Sequence, residues 1–348
     1  MLSAGMKRSL AARLAGTQYA PTTEGTRPRH GDDIFPAGST VRSFADFVGQ
    51  VQAIRLLRAT VASARARQQP LDHVLLAAGN AGVGKSTLAR ILAWEMGVGI
   101  VEMTGKLTLD DIRPTLLGMQ DGDILFLDEI HTLLAGGKAA AEGWLLTLLA
   151  DGGLASKERG FEPMPRITVV GATTDAQKLT DPFLSRFAVQ PVLGGYTDAE
   201  GVLIAASQAR AVGFGTDLLP MPDDKILGII AGASLNMPRA MRRPLIALRD
   251  SFLGDDMGQY DVDTALEWVG LTRDGLDTLS QEYLMALVDA AKPMSERSMQ
   301  GVLCEPVLGR TEQRLQSLGF LVIESGGRVA TDDGKARARL LGLELNVA

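Results

Sequence analysis

The sequence predicts an α/β fold: a parallel sheet covered by helices, then a small helical segment, then a C-terminal winged helix. Three observations carry this. The apolar runs "HVLLAA", "DILFLDE" and "RITVVGATT" alternate with helix-patterned stretches, and strands apolar on both faces belong to a parallel sheet buried on both sides. From Thr197 to about Leu271 strand-like runs give way to helical periodicity alone. Near the end, helices lead into "FLVIESGGRVATDDG", two short strands around a Ser-Gly-Gly turn.

The elements follow in order. Residues 1–40 carry Lys7, Arg8, Arg13, Arg27 and Arg29 against few acids. They read as a short amphipathic piece over residues 6–15 and a disordered basic arm, with a transit-like peptide as the lesser reading. "FADFVGQVQAIRLLRATVASARARQQ" is a turn and then a helix with Val51, Ile54, Leu57 and Val61 on one face, ended by Pro70. "HVLLAA" is a buried strand, "STLARILAWEM" a helix, "DILFLDE" a strand, "AAAEGWLLTLLA" a helix and "RITVVGATT" a third strand. Four helical stretches follow: "AEGVLIAASQARAVG", "DDKILGIIAGAS", "PRAMRRPLIALRDSFL" and "DVDTALEWVG". "TLSQEYLMALVDAA", "SERSMQGVL" and "EPVLGRTEQRLQSLG" lead to the final hairpin. The division expected is 1–40 arm, 41–196 α/β domain, 197–271 helical domain and 272–348 winged helix.

Composition narrows the class. The 348 residues allow two or three domains, and 46% hydrophobic with 22% charged is ordinary for a globular protein. The net charge of −6 excludes a strongly basic nucleic-acid binder; nucleic-acid contacts must come from local patches. The one cysteine, Cys304, precludes an intramolecular disulfide and fits a reducing, cytoplasmic setting. No apolar run approaches a membrane span.

Gly79-Asn80-Ala81-Gly82-Val83-Gly84-Lys85-Ser86 fits the pattern G-x-x-x-x-G-K-[ST]. Its glycines turn backbone N–H groups toward phosphate oxygens, and the next helix adds its positive end. With Thr87, these residues form the candidate nucleotide cradle. Lys85 is placed to bridge β- and γ-phosphates and Ser86 to hold Mg²⁺. The strand "ILFLDEIH" presents Asp128 for the Mg²⁺ shell and Glu129 as general base. His131 is expected to bond locally. Thr174, or else Thr173, ends the third strand where it can position water or sense the γ-phosphate. Arg186 in "LTDPFLSRF" suits a charged phosphoryl group, in cis or from a neighbour. Arg239 in "NMPRAMRR" starts a helix from which it could reach back to the nucleotide.

These pieces, in this order, resemble an AAA+ ATPase, and more closely the RuvB family of Holliday-junction branch-migration motors. "FADFVGQ", "LDHVLLAAGNAGVGKSTLA", "GDILFLDEIHTL", "VVGATT" with "LTDPFLSRF", "MPRAMRR" and the final "GRVAT" carry the resemblance, over roughly Val41 to Leu341. It implies an AAA+ P-loop domain, a helical lid and a winged helix, working as a hexameric ring on DNA with ATP and Mg²⁺. It implies that Arg186 acts on the neighbour's ATP and that Thr174 and Arg239 are the two sensors. It also implies that Tyr196 lies near the adenine and Arg328 meets DNA. The family places a hydrophobic hairpin that docks on RuvA between the second and third strands; here "LADGGLASKERGFEPMPR" is shorter, more polar and glycine-rich. A RuvA-like or other junction or loading protein is the expected partner. The alternative function is a loader or remodeller of a replication protein with the same ATPase core.

Overall fold

A computed structural model describes residues 28–105, 107–133, 138–156, 160–254, 261–290, 292–303 and 308–345. The chain divides into two compact units, Met1–Gly195 and Tyr196–Ala348.

The first unit begins earlier than the sequence predicts. The charge pattern assigns residues 28–40 to a disordered arm, yet Arg29 bridges antiparallel to Ile100, and Ile34 and Phe35 are buried. Phe35 stands edge-on to Trp94 at 5.8 Å between ring centroids. Arg29 and Arg90 share the Glu102 carboxylate, Arg90 through two 2.7 Å bonds. An apolar pair and a partner for the arginine suffice to fix the segment. The amphipathic piece at 6–15 lies outside the described residues.

Helix α1 (Val51–Arg67) follows. Ile54, Leu57 and Val61 are buried as expected, but Val51, in its first turn, is exposed. Then come β1 (Val74–Ala78), α2 (Lys85–Met96), β2 (Ile100–Thr104), α3 (Leu109–Leu117), β3 (Ile124–Asp128) and α4 (Lys138–Asp151). A hairpin of β4 (Gly153–Ser156) and β5 (Gly160–Pro163) precedes β6 (Thr168–Thr173), the short α5 (Asp181–Leu184) and β7 (Val192–Leu193). Five strands form one sheet in the order β2-β3-β6-β1-β7, every neighbouring pair parallel. The crossover helices cover the faces. Leu88, Ile91 and Leu92 of α2 are fully buried. On the α4 side Trp144, Leu145 and Leu148 pack with Leu125, Leu127, Val169 and Phe183.

The second unit contains α6 (Asp198–Ala211), α7 (Asp224–Ala233), α8 (Pro238–Leu253) and α9 (Val262–Trp268), then α10 (Thr278–Asp289), α11 (Glu296–Leu303) and α12 (Gly309–Ser317). The hairpin β8 (Leu321–Glu324) and β9 (Gly327–Ala330) and the helix α13 (Asp332–Leu345) end it. Side-chain caps start several helices, Thr197 with Glu200 for α6 and Asp277 for α10 among them. Tyr283, Leu284, Met299, Leu308, Leu315, Leu321 and Leu341 form one core, the winged-helix arrangement of three helices and a hairpin. Met294 adds a third line of pairing through mutual backbone bonds with Arg328. That contact demands glycine at 327: a Cβ there would lie 2.6 Å from the Met294 carbonyl, at φ +128°.

Candidate active site

The strand register gathers the first unit's predicted residues at one edge. Ala77 faces Thr173 and Ala78 faces Leu193, while Leu127 faces Gly171. The phosphate-loop pattern after β1, the Asp-Glu pair ending β3 and the threonines ending β6 therefore all lie at the carboxyl end of neighbouring strands. That is where open parallel sheets hold their ligands.

Residues 79–84 form the loop between β1 and α2. Gly82 (φ +84°) and Gly84 (φ +103°) take left-handed conformations that a side chain would strain. Val83 is buried and pins the loop to the core. Gly84 is the N-cap of α2 and supplies no side-chain cap. The first-turn N–H groups and the helix dipole are thus offered to an anion. Asn80 and Ala81 are exposed, Ser86 and Thr87 half-buried, and Lys85, opening α2, is buried.

Glu129 is the one non-glycine residue of this edge in the left-handed region, at φ +49°. That twist turns its side chain out of the strand's alternation while Asp128 completes β3. Thr132 fixes the Glu129 carbonyl with bonds of 2.8 Å from both its N–H and its hydroxyl. Thr174 donates to Glu129 Oε2 from its hydroxyl (2.8 Å) and its N–H (3.1 Å). The sequence has Thr174 facing water or phosphate; in the structure it engages the Glu129 carboxylate. Thr173 is buried and bonds instead to His131 Nδ1 at 3.0 Å. His131 bonds locally as expected, but its Nδ1 also lies 3.3 Å from Glu129 Oε2, a contact that no spacing rule reveals.

Arg186 follows α5 on an exposed turn and forms no ion pair among the described residues. Tyr196 and Arg239 belong to the second unit, Tyr196 half-buried at its start and Arg239 exposed in the first turn of α8. Gln50 has no motif to mark it in the sequence. Its side-chain amide donates to the Gly194 carbonyl (2.8 Å) and accepts from the Gly194 N–H (3.0 Å). This clamp ties the entry to α1 onto the end of β7, next to the phosphate loop. The left-handed Gln50 (φ +51°) is its only local mark.

Arg328 is held differently from the other candidates. The resemblance has it meeting DNA, but its guanidinium bonds Glu312 (2.9 Å) and Glu296 (2.9 Å) and is largely covered. Glu312 is itself buried and accepts the Tyr283 hydroxyl at 2.8 Å. Burial and the Glu312 carboxylate push the Tyr283 phenol up, so it stays a neutral donor. These bonds use the Nε and Nη2 donors of the guanidinium. The hairpin region also differs from its reading as a polar stretch. β4 and β5 pair in antiparallel fashion, Arg113 grips Glu162 of β5 (2.5 and 2.7 Å), and Phe161 stands exposed.

Comparison with known proteins decides the family. Residues 40–193 match the family described as the Holliday junction DNA helicase RuvB P-loop domain. Residues 40–193 are a RuvB-type P-loop domain, and the chain as a whole is RuvB-like. Its fold follows that of Thermotoga maritima RuvB, titled a Holliday junction branch migration motor, with TM-score 0.70 and 27% identity over 86% of this chain and 97% of that one. A point mutant of the same Thermotoga protein gives TM-score 0.70 and 27% identity over 86% and 98%. The FIGL-1 AAA domain, solved with ADP, shares the fold alone at 18% identity, TM-score 0.52, over 74% and 88%. The P-loop family implies nucleotide binding. Among the described residues no helix is long and apolar enough to cross a membrane.

Proposed function

We propose that this chain is an ATP-hydrolysing ring motor that migrates four-way DNA junctions. One observation carries the reading: an uncapped helix N-terminus with Lys85 stands at the same sheet edge as Asp128 and Glu129, in a chain that follows RuvB over 86% of its length. A scaffold has no use for that set.

The nucleotide is ATP, its phosphates on residues 79–87 and bridged by Lys85. The donor set suits Mg²⁺: hard oxygens of Ser86 and Asp128, with the phosphates completing the shell. No cage of three or more His, Cys, Asp or Glu occurs among the described residues to favour another metal. When bound, Mg²⁺ neutralises charge on the β- and γ-phosphate oxygens. Glu129 removes the proton from the attacking water, and Thr174 holds its carboxylate. Arg186, exposed and without an ion pair among the described residues, serves the ATP of the neighbouring copy in a hexamer. Tyr196 contacts the base and Arg239 the γ-phosphate. Residues 41–196, 197–271 and 272–348 act as motor, lid and DNA-facing head. A RuvA-like junction-holding partner docks on the β4–β5 hairpin through Phe161.

The test is ATP-driven dissociation of a synthetic four-way junction by the purified protein, with linear duplex and Lys85→Ala as controls. Processing that needs both ATP and Lys85 is the expected result. ATPase activity without processing, even with a junction-binding partner added, overturns the motor reading and leaves a loader.

A further inference from the structure

We infer that His131 is a positioning residue for Glu129: its Nδ1, hydrogen-bonded to Thr173 Oγ1 and 3.3 Å from Glu129 Oε2, sets the carboxylate so that Oε1 receives the proton of water. This rests on Glu129 acting as the base.

The argument is geometric. Glu129 Oε2 takes the Thr174 hydroxyl and N–H and lies 3.3 Å from His131 Nδ1. Among the described residues Oε1 makes no hydrogen bond. The carboxylate is therefore anchored through one oxygen, with the other open in a side chain 31% exposed. The tautomer follows from charge. An unprotonated Nδ1 would set its lone pair beside a carboxylate oxygen 3.3 Å away, which is repulsive; a protonated Nδ1, donating to Thr173 Oγ1, brings its N–H dipole near that oxygen instead. Thr173 Oγ1 lies 3.0 Å from the same nitrogen and accepts the Asp175 N–H at 3.0 Å. The ring is thus held from both sides at 13% side-chain exposure. The charged groups around it are Glu129 and, from the turn after β6, Asp175, which is paired with Lys178 at 2.8 Å. A ring serving only to fill space would not need its nitrogen 3.3 Å from the Glu129 carboxylate. Orienting partners behind a reacting group are commonly worth about 10- to 100-fold.

Two measurements test this. The first is steady-state ATP hydrolysis by the full chain. His131→Leu is expected to lower kcat about tenfold with KM and binding of a fluorescent ADP analogue unchanged. His131→Asn, whose amide can donate from nearly the same place, recovers most of the loss. In a Glu129→Gln background His131→Leu costs nothing further, because the group it positions is gone. Wild-type kcat in His131→Leu, or equal losses in the Leu and Asn variants, overturns the proposal. The second measurement needs no turnover. The chain has only three histidines, so long-range ¹⁵N–¹H spectra resolve them, with His131→Asn giving the assignment. His131 should show the Nδ1–H tautomer and shift in Glu129→Gln. His73, whose Nδ1 accepts the Val169 N–H at 3.0 Å, provides the opposite tautomer as an internal standard. An Nε2–H signature for His131 overturns the proposal whatever the kinetics. Normal turnover in Glu129→Gln overturns the base assignment itself, and the spectra still report whether His131 and Glu129 touch.

Discussion

Two arginines, one in each unit, are held differently. Residues 1–195 hold 20 Lys and Arg against 19 Asp and Glu, while residues 196–348 hold 15 against 22. In the acidic second unit Arg273, Arg314, Arg328 and Arg337 are each tied to a carboxylate. In the first unit Arg186 stands exposed with no ion pair among the described residues. The difference teaches how to read a cation. One that the fold has already paired is structural, whereas one held out on an exposed turn after a short helix is available to a ligand or a neighbour. The resemblance implies a role for both Arg186 and Arg328, and their surroundings separate them.

The largest effect should come from Arg186. Arg186→Ala is expected to lose about 10³-fold in hydrolysis with little change in thermal stability. Mixing it with Lys85→Ala subunits should restore part of the activity, since each copy supplies what the other lacks. An absence of rescue at every mixing ratio removes the trans role and weakens the contrast with Arg328. Glu129→Gln should come next. Losing the base should cut kcat about 10²- to 10³-fold while ATP binding persists, which a filter-binding or fluorescent-nucleotide assay would read.

These assignments are legible because their signals are local. The loop 79–86, the Asp-Glu pair and the three apolar strands each announce themselves within a short stretch, and all land on one sheet edge. What is not legible depends on partners far away in sequence. β2 follows Ile100 and Val101 with Glu102, Met103 and Thr104, too little pattern to separate from a loop, and β7 has two residues. Gln50 finds Gly194 across 144 positions. Residues 28–40 look like a tail until Phe35 meets Trp94. Arg328 looks like a phosphate ligand until Glu312, 16 residues before it, is seen to be buried. The sequence supplies side-chain chemistry there without supplying its distribution among contacts.

The Arg328 correction makes the third prediction. Arg328→Ala strands the buried Glu312 and one end of the Tyr283 bond, and should destabilise the second unit by roughly 3 kcal/mol. Thermal or denaturant unfolding would show this. At a temperature where the variant is folded, the salt dependence of DNA binding should keep its slope, because no phosphate contact is lost. A variant of normal stability with a slope smaller by about one would return Arg328 to the DNA surface.

The smallest effect tests the same rule on a histidine. His73 sits at the foot of β1, its Nδ1 accepting the Val169 N–H (3.0 Å) and its ring edge-on to Phe187 at 6.5 Å. Burial holds it below its ordinary value of 6.5, against smaller opposing influences from the Leu149 carbonyl and Asp72. In the folded chain it is a neutral acceptor; in the unfolded chain it takes a proton near pH 6.5. The unfolded state therefore binds more protons below that pH, and stability should fall as pH drops from about 7 toward about 5. His73→Gln, which keeps a carbonyl acceptor, should be less stable at neutral pH through imperfect packing yet lose less on acidification. Denaturant midpoints at about pH 7 and about pH 5.5 measure both slopes. If the two proteins lose stability in parallel, His73 is not the group that titrates, and the acid sensitivity of the first unit belongs to its carboxylates.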